Sequence, residues 1–240
     1  MKKLLVLLVL VVGLSGDEFE EFSSELETKE VSDPLSGYNR VMTSFNDGAY
    51  EYVLRPVASG YRAVVHEDIR RSVSNFFDNL YYPHRFVNNL LQGKFVNAYE
   101  ETQRFVINST VGLVGLFDPA KSYFDIKAHD EDFGQTLGFY GVGSGPHIVL
   151  PLWGPSNLRD FISMVPDSAM GPLELSISDD RKEHTPSITY TEYAAIKSFS
   201  VINLMSLNID KYDKIKEDAV DLYPYLRDLY EQYRAKQIEE

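Results

Sequence analysis

The chain contains no cysteine, which excludes disulfide frameworks, thiolate zinc sites, cysteine nucleophiles and cysteine-linked lipid within these 240 residues. It is short of positive charge: 23 Lys and Arg stand against 36 Asp and Glu, a net charge of -13. Nucleic acid is thereby excluded as a natural partner, because its affinity comes from cationic side chains that displace counterions. A nucleophile elbow is missing, since Ser144 has Val142 and Pro146 where the flanking glycines belong, and neither a Walker loop nor H-E-x-x-H occurs. Gly141-Val142-Gly143-Ser144-Gly145 has the look of a dinucleotide loop, but the third glycine is misplaced and Pro146 follows where a helix should open. Tryptophan is nearly absent, one residue against 16 Tyr and 14 Phe. Tyrosine pairs an apolar ring with a polar tip, which suits partly buried positions and the headgroup level of a membrane alike.

What is present begins with Met1-Lys2-Lys3, an aliphatic run from Leu4 to Val12, and Gly13-Leu14-Ser15-Gly16. This order predicts an export signal over residues 1–16; an uncleaved membrane anchor is the alternative. Residues 17–32 read as an acidic tether, and residues 33–240 as one helical domain.

Apolar residues after Asp33 recur at helical spacing. Ile69, Val73, Phe76, Phe77 and Leu80 mark one face of a helix that leaves Arg70, Arg71 and Asp78 on the other, with Pro83 as its stop. The same spacing predicts helices over 34–54 ended by Pro56, 84–92 ended by Gly93, 95–110, 156–165 ended by Pro166, 187–207 and 210–220. A closing helix carries Leu222, Leu226, Leu229, Tyr230 and Tyr233 on one stripe, and its charged end, 234–240, is expected to fray. Alternating patterns are few, so the expected fold is all-α with little sheet.

One region departs from this rhythm. Eight of the fifteen glycines fall between Gly112 and Gly154, and Phe133 to Leu158 has no charged residue over 26 positions. Six glycines together with Pro146, Pro151 and Pro155 rule out a regular membrane-spanning helix there. An irregular uncharged segment suits a loop that lines a cavity or lies under protein cover at membrane depth, or a buried loop in a soluble core. The cluster His129-Asp130-Glu131-Asp132 offers oxygens to a hard cation, or serves as a solvated face or a complement to a helix N-terminus.

Several blocks resemble the MlaA/VacJ family, outer-membrane lipoproteins of Gram-negative bacteria that help maintain lipid asymmetry. They are Asp33-Pro34-Leu35-Ser36-Gly37-Tyr38-Asn39-Arg40 continuing through Ser44-Phe45-Asn46-Asp47 to Arg55-Pro56; Ser74-Asn75-Phe76-Phe77-Asp78-Asn79-Leu80; Val87-Asn88-Asn89-Leu90-Leu91-Gln92-Gly93; and Asn108-Ser109-Thr110. The strongest runs Asp132-Phe133-Gly134-Gln135-Thr136-Leu137-Gly138, then Gly141-Val142-Gly143, Gly145-Pro146, Gly154-Pro155-Ser156 and Arg159-Asp160. A looser match closes the chain at Asp221-Leu222-Tyr223 and Arg227-Asp228.

The resemblance implies a ring of amphipathic helices on the periplasmic side of the outer membrane, with a glycine-rich loop lining a central channel. Its implied partners are phospholipid, a trimeric porin and a soluble periplasmic lipid carrier; no cofactor, metal or catalytic residue is implied. Gly138, Gly141, Gly143, Gly145 and Pro146 are the expected channel or loop residues, with Gly143 expected at a positive-φ or close-approach position. Ser44, Phe45, Asn46 and Asp47 are the expected helix segment controlling leaflet access. Asp17 stands where the family carries its lipidated cysteine. Two other classes stay open: an exported metal-dependent or lipid hydrolase using His129, Asp130, Asp132 or His147, and a structural companion of porins.

Overall fold

A computed structural model describes residues 33–171, 173, 176–177 and 188–239. The expected signal and acidic tether lie outside the described residues. Most of the described residues are helical: α1 Ser36–Ala49, a π-helical turn Tyr50–Leu54, α2 Arg55–Val64, α3 Glu67–Leu80, α4 Tyr82–Leu91, α5 Phe95–Thr110, α6 Pro119–Phe124, α7 Phe133–Phe139, α8 Leu158–Met170, α9 Tyr190–Asp218 and α10 Leu222–Glu239. Among the described residues β-structure is confined to isolated bridges, such as His147 with Asn157 and Leu150 with Gly154.

Short polar side chains set the helix starts by bonding amides that have no intrahelical partner. Asp132 and Gln135 form a reciprocal capping box on α7, Thr189 and Glu192 another on α9, and the Asn157 side chain accepts from the Asp160 N–H to open α8.

The structure corrects four expected boundaries. Pro56 does not end the first helix; the backbone stays helical from α1 through the π-helical turn into α2, and the proline, which lacks an N–H, follows directly on that widened turn. Pro166 lies inside α8, and Asp167 beyond it accepts from the Phe133 N–H at 3.0 Å and contacts His84 Nε2 at 2.5 Å, so tertiary bonds hold the turn that proline weakens. The two helices expected over 187–207 and 210–220 are one, Tyr190–Asp218, within which the Asn208 side chain donates to the Leu204 carbonyl. The chain end does not fray at 234: Arg234 is buried and helical structure runs to Glu239.

The largest packings join α2 and α3 to α9, α4 to α5 and α7 to α8; smaller ones join α10 to α7 and α1. With the α3–α5 and α4–α7 contacts, the path from neighbour to neighbour returns to α1. One apolar cluster sits where the π-helical turn and α2 meet α9, around Tyr50, Ala58, Met205, Ile209 and Tyr212.

Elsewhere the usual order is inverted. Among the described residues, buried polar and charged side chains outnumber buried apolar ones, and exposed large apolar side chains outnumber both. On α3 the expected orientation fails at two adjacent positions and holds elsewhere: Arg70 is 4% exposed and donates to the Ser206 carbonyl at 2.7 Å, whereas Ile69 is 57% exposed; Arg71 and Asp78 face outward as expected, and Val73, Phe76, Phe77 and Leu80 are half-buried. Asparagines serve as internal fasteners, with Asn39, Asn88, Asn89, Asn157 and Asn203 all fully or almost fully buried.

Candidate functional site

The uncharged segment after α7 doubles back on itself. Ile148 N–H donates to Ser156 O, Leu150 N–H to Gly154 O, and the amides of Leu158 and Arg159 donate to the carbonyls of Pro146 and Ser144. Its inner side is then gripped by α1. Asn39 donates to the His147 carbonyl at 3.0 Å and accepts from the Val149 N–H at 2.8 Å; Asn46 donates to the Leu150 carbonyl at 2.9 Å and accepts from the Leu152 N–H at 2.7 Å. The two asparagines are seven residues apart, two helical turns, which aligns them on one face.

The structure thus joins the two expected groups of site residues, and divides the first. Ser44 and Phe45 are exposed, Phe45 at 51%. Asn46 turns to the glycine-rich loop, and Asp47 turns to α9, where Lys216 Nζ lies 2.7 Å from its Oδ1 and 3.3 Å from Glu51 Oε2.

The glycines divide as well. Gly141 and Gly145 have positive φ, 83° and 68°, and a Cβ on Gly145 would approach the Leu158 Cβ to 3.0 Å. Gly143 has neither a positive φ nor any atom within 4 Å of a Cβ, which overturns the expectation for that residue. Gly138 belongs to α7 and not to the loop; its missing side chain lets α7 approach α10, where a Cβ would meet the Ile238 Cδ1 at 2.5 Å. Pro146 is exposed beside Gly145 and presents its carbonyl to Leu158.

Beneath the loop lies a charged layer that sequence reasoning missed. Arg234 of α10 holds both oxygens of Asp132, at 2.8 and 3.0 Å, and reaches Asp160 with Nε at 3.0 Å. Tyr230 donates to the same Asp160 carboxylate. Burial opposes charge on Asp132, but the Arg234 guanidinium outweighs it and leaves this carboxyl well below its ordinary range. Burial likewise opposes charge on Arg234, and Asp132 and Asp160 together hold it protonated. Gly134 makes room for the layer: a Cβ there would come within 2.3 Å of Asp160 Oδ1. The spacing of Asp132 and Gln135, three residues apart, is a legible signal for the cap; the partner 102 residues away is not.

The hydrolase candidates are dispersed. His129 Nε2 contacts Glu100 at 2.6 Å, Asp130 lies 3.5 Å from Arg85, Asp132 serves Arg234, and His147 Nδ1 contacts Glu231 at 2.9 Å on a different element. No group of three potential metal ligands forms among the described residues. On α10, Tyr223 donates to Asp33, and its hydroxyl is pushed up to about 12 by burial and by that carboxylate.

These features define a class: an all-helical protein with a hydrogen-bonded polar interior, many exposed large apolar side chains, and an uncharged loop clasped to its first helix. Over residues 31–237 the chain matches the family described as MlaA lipoprotein, and it belongs to that family. It is 40% identical over 141 residues to the Intermembrane phospholipid transport system lipoprotein MlaA of Escherichia coli (strain K12), covering 58% of this chain and 56% of that protein. It is 39% identical over 145 residues to an uncharacterised protein of Rickettsia typhi, covering 60% and 57%. The chain therefore spans a little over half the length of these relatives. A solved structure described as the structural basis for maintenance of bacterial outer membrane lipid asymmetry superposes with a TM-score of 0.72 at 30% identity, covering 87% of this chain and 100% of that one.

Proposed function

We propose that this chain transports phospholipid at the outer membrane, taking lipid misplaced in the outer leaflet through an amphipathic passage and handing it to a soluble periplasmic carrier. The observation that carries this reading is the inverted surface: apolar side chains outside and hydrogen-bonded polar ones inside suit a body set among acyl chains around a path for a headgroup. The closed circuit of helix neighbours supports a ring. A diacyl lipid exposes roughly 30 methylenes, so free transfer through water costs on the order of 20 kcal/mol at about 0.8 kcal/mol each. Continuous apolar shielding removes that cost. In this reading the loop 141–146 forms part of the passage wall, Phe45 and Ser44 meet lipid at the leaflet boundary, and the body sits on the periplasmic side beside a trimeric porin. No bond-breaking step is assigned to the chain.

Mass spectrometry of lipid carried by the full chain after purification tests this. Intact diacyl phospholipid is expected. Lysolipid with free fatty acid favours a hydrolase, and a porin complex free of lipid favours a structural companion; either result overturns the transport reading.

A further inference from the structure

Between α5 and α6 the chain forms a knuckle, residues 111–117, which the passage described above does not use. Leu113 and Val114 both take left-handed backbone conformations, with φ of 53° and 60°. Such angles are strained for any side chain and worst for a β-branched one, so glycine or asparagine would be the inexpensive choice. The chain instead places two aliphatic residues there and exposes them, Leu113 at 59% and Val114 at 65%, with Val111 at 66% and Phe117 at 55% beside them. From Phe105 to Phe117 there is no charged residue.

The knuckle's amides are largely closed to outside partners. The amides of Val111 and Gly112 donate to Ile107 O, Val114 to Ser109 O, Gly115 to Asn108 O, Leu116 to Leu113 O and Phe117 to Gly112 O. Two buried glycines set its base: a Cβ on Gly112 would lie 2.4 Å from the Asn108 carbonyl, and one on Gly115, at φ 89°, would strike the Asn79 side chain at 2.5 Å. From α3, Asn75 donates to the Leu116 carbonyl and Asn79 to the Ser109 hydroxyl. A rigid tip with apolar side chains and self-satisfied amides matches the one environment that supplies no hydrogen bonds.

We propose that the 111–117 knuckle inserts into the hydrocarbon layer of a bilayer, as a preformed apolar tip that fixes how the body sits in the membrane. This rests on the membrane reading above, which says nothing of which segment penetrates. Water would not favour a tip that exposes four large apolar side chains, and a protein partner would gain no hydrogen bonds from the amides already bonded within the knuckle.

Because the chain has no cysteine, Leu113→Cys provides a unique site for an environment-sensitive fluorophore on the full chain. Vesicles of phosphatidylethanolamine and phosphatidylglycerol serve as the probe, with Glu217→Cys on the charged end of α9 as comparison. The Leu113 label is expected to be quenched by brominated acyl chains and shielded from iodide, and the Glu217 label to remain open to iodide. A chain that floats with vesicles while the Leu113 label stays open to iodide overturns this inference and leaves the membrane reading standing; a chain that does not float overturns both. Shielding that appears only when a trimeric porin is added assigns the knuckle to a protein interface and also overturns it. Independently, the double variant Leu113→Asp with Val114→Asp is expected to lower vesicle partitioning by about tenfold or more at unchanged helix content, the scale of one lost Leu burial; unchanged partitioning counts against insertion.

Discussion

Asn46 reads the backbone of Leu152 across 106 residues of sequence, accepting its N–H at 2.7 Å while donating to the Leu150 carbonyl at 2.9 Å. Leu152 takes a left-handed conformation, φ 62°, and the bond arrives at that strained residue. One amide therefore couples the first helix to the bend of the glycine-rich loop. With Asn39 two turns earlier, it turns a helix face into a rail along which the loop is seated.

Asn46→Ala removes both bonds; the Leu150 carbonyl keeps the Gly154 N–H, but the exposed Leu152 N–H loses its protein partner, a cost of about 1 kcal/mol. Hydrogen exchange should quicken at Leu152 while amides of α9 stay protected. Phospholipid is expected to accumulate in the outer leaflet of cells that depend on this variant. Unchanged exchange at Leu152 would show that the clasp does not hold the loop.

Gly145 and Gly143 should respond differently to the same added methyl group. Gly145→Ala forces a side chain into a positive φ and against Leu158, at about 1–2 kcal/mol. Gly143→Ala meets open space and should be nearly neutral. Thermal melts of the two variants check this; equal losses would refute the distinction.

The Asp132–Arg234 pair predicts the acid limb of the stability curve. Asp132 has a folded pKa below its unfolded value, so the unfolded chain binds the proton more readily. Its contribution is present above the ordinary carboxylate range near 3.8 and is lost as pH falls through that range and below. Asp132→Asn keeps a competent helix cap but removes one of the two carboxylates that hold Arg234, and should cost about 1–3 kcal/mol at neutral pH, with a shallower loss on acidification. Denaturant melts from pH 7 down to pH 3 measure both effects.

Gly134→Ala is expected to damage the protein more than any glycine change in the exposed loop. Its Cβ would lie 2.3 Å from Asp160 Oδ1 and 2.8 Å from Arg234 Nη2, so the charged layer must open to admit it. Loss of a cooperative melt, or of folded protein in the membrane fraction, is the expected outcome. A melt like that of Gly143→Ala would contradict the packing.

Exposed apolar surface should hold the chain to membranes through a wash at 1 M salt, because salt screens charge and leaves hydrophobic contact intact. Release into the wash would indicate attachment by charge alone.

Much of this protein was legible along the chain. Helical spacing located α3, α4, α5 and α10, and the stripe Leu226, Leu229, Tyr230 and Tyr233 on α10 is buried as its period implies. Breakers were read less well: Pro83 begins a helix, Pro56 follows directly on the π-helical turn and Pro166 sits within a helix, because a proline's effect depends on the backbone and tertiary bonds around its missing N–H. The motif residues Asn46 and Gly145 were in view, but nothing local says which atoms they meet.

Period and composition by themselves determined an acidic, cysteine-free, helical chain with one uncharged, glycine-rich interruption, since these follow from local geometry and counting. Which residues of α3 turn inward at its start was decided only by the tertiary structure. Periodicity separates two faces but carries no sign; Arg70 and Ile69 exchanged their expected places because burying a guanidinium becomes favourable when a distant carbonyl, that of Ser206, is there to receive it. The same holds for Asn39, Asn46 and Arg234, whose partners lie 74 to 110 residues away and exist only after the helices have packed.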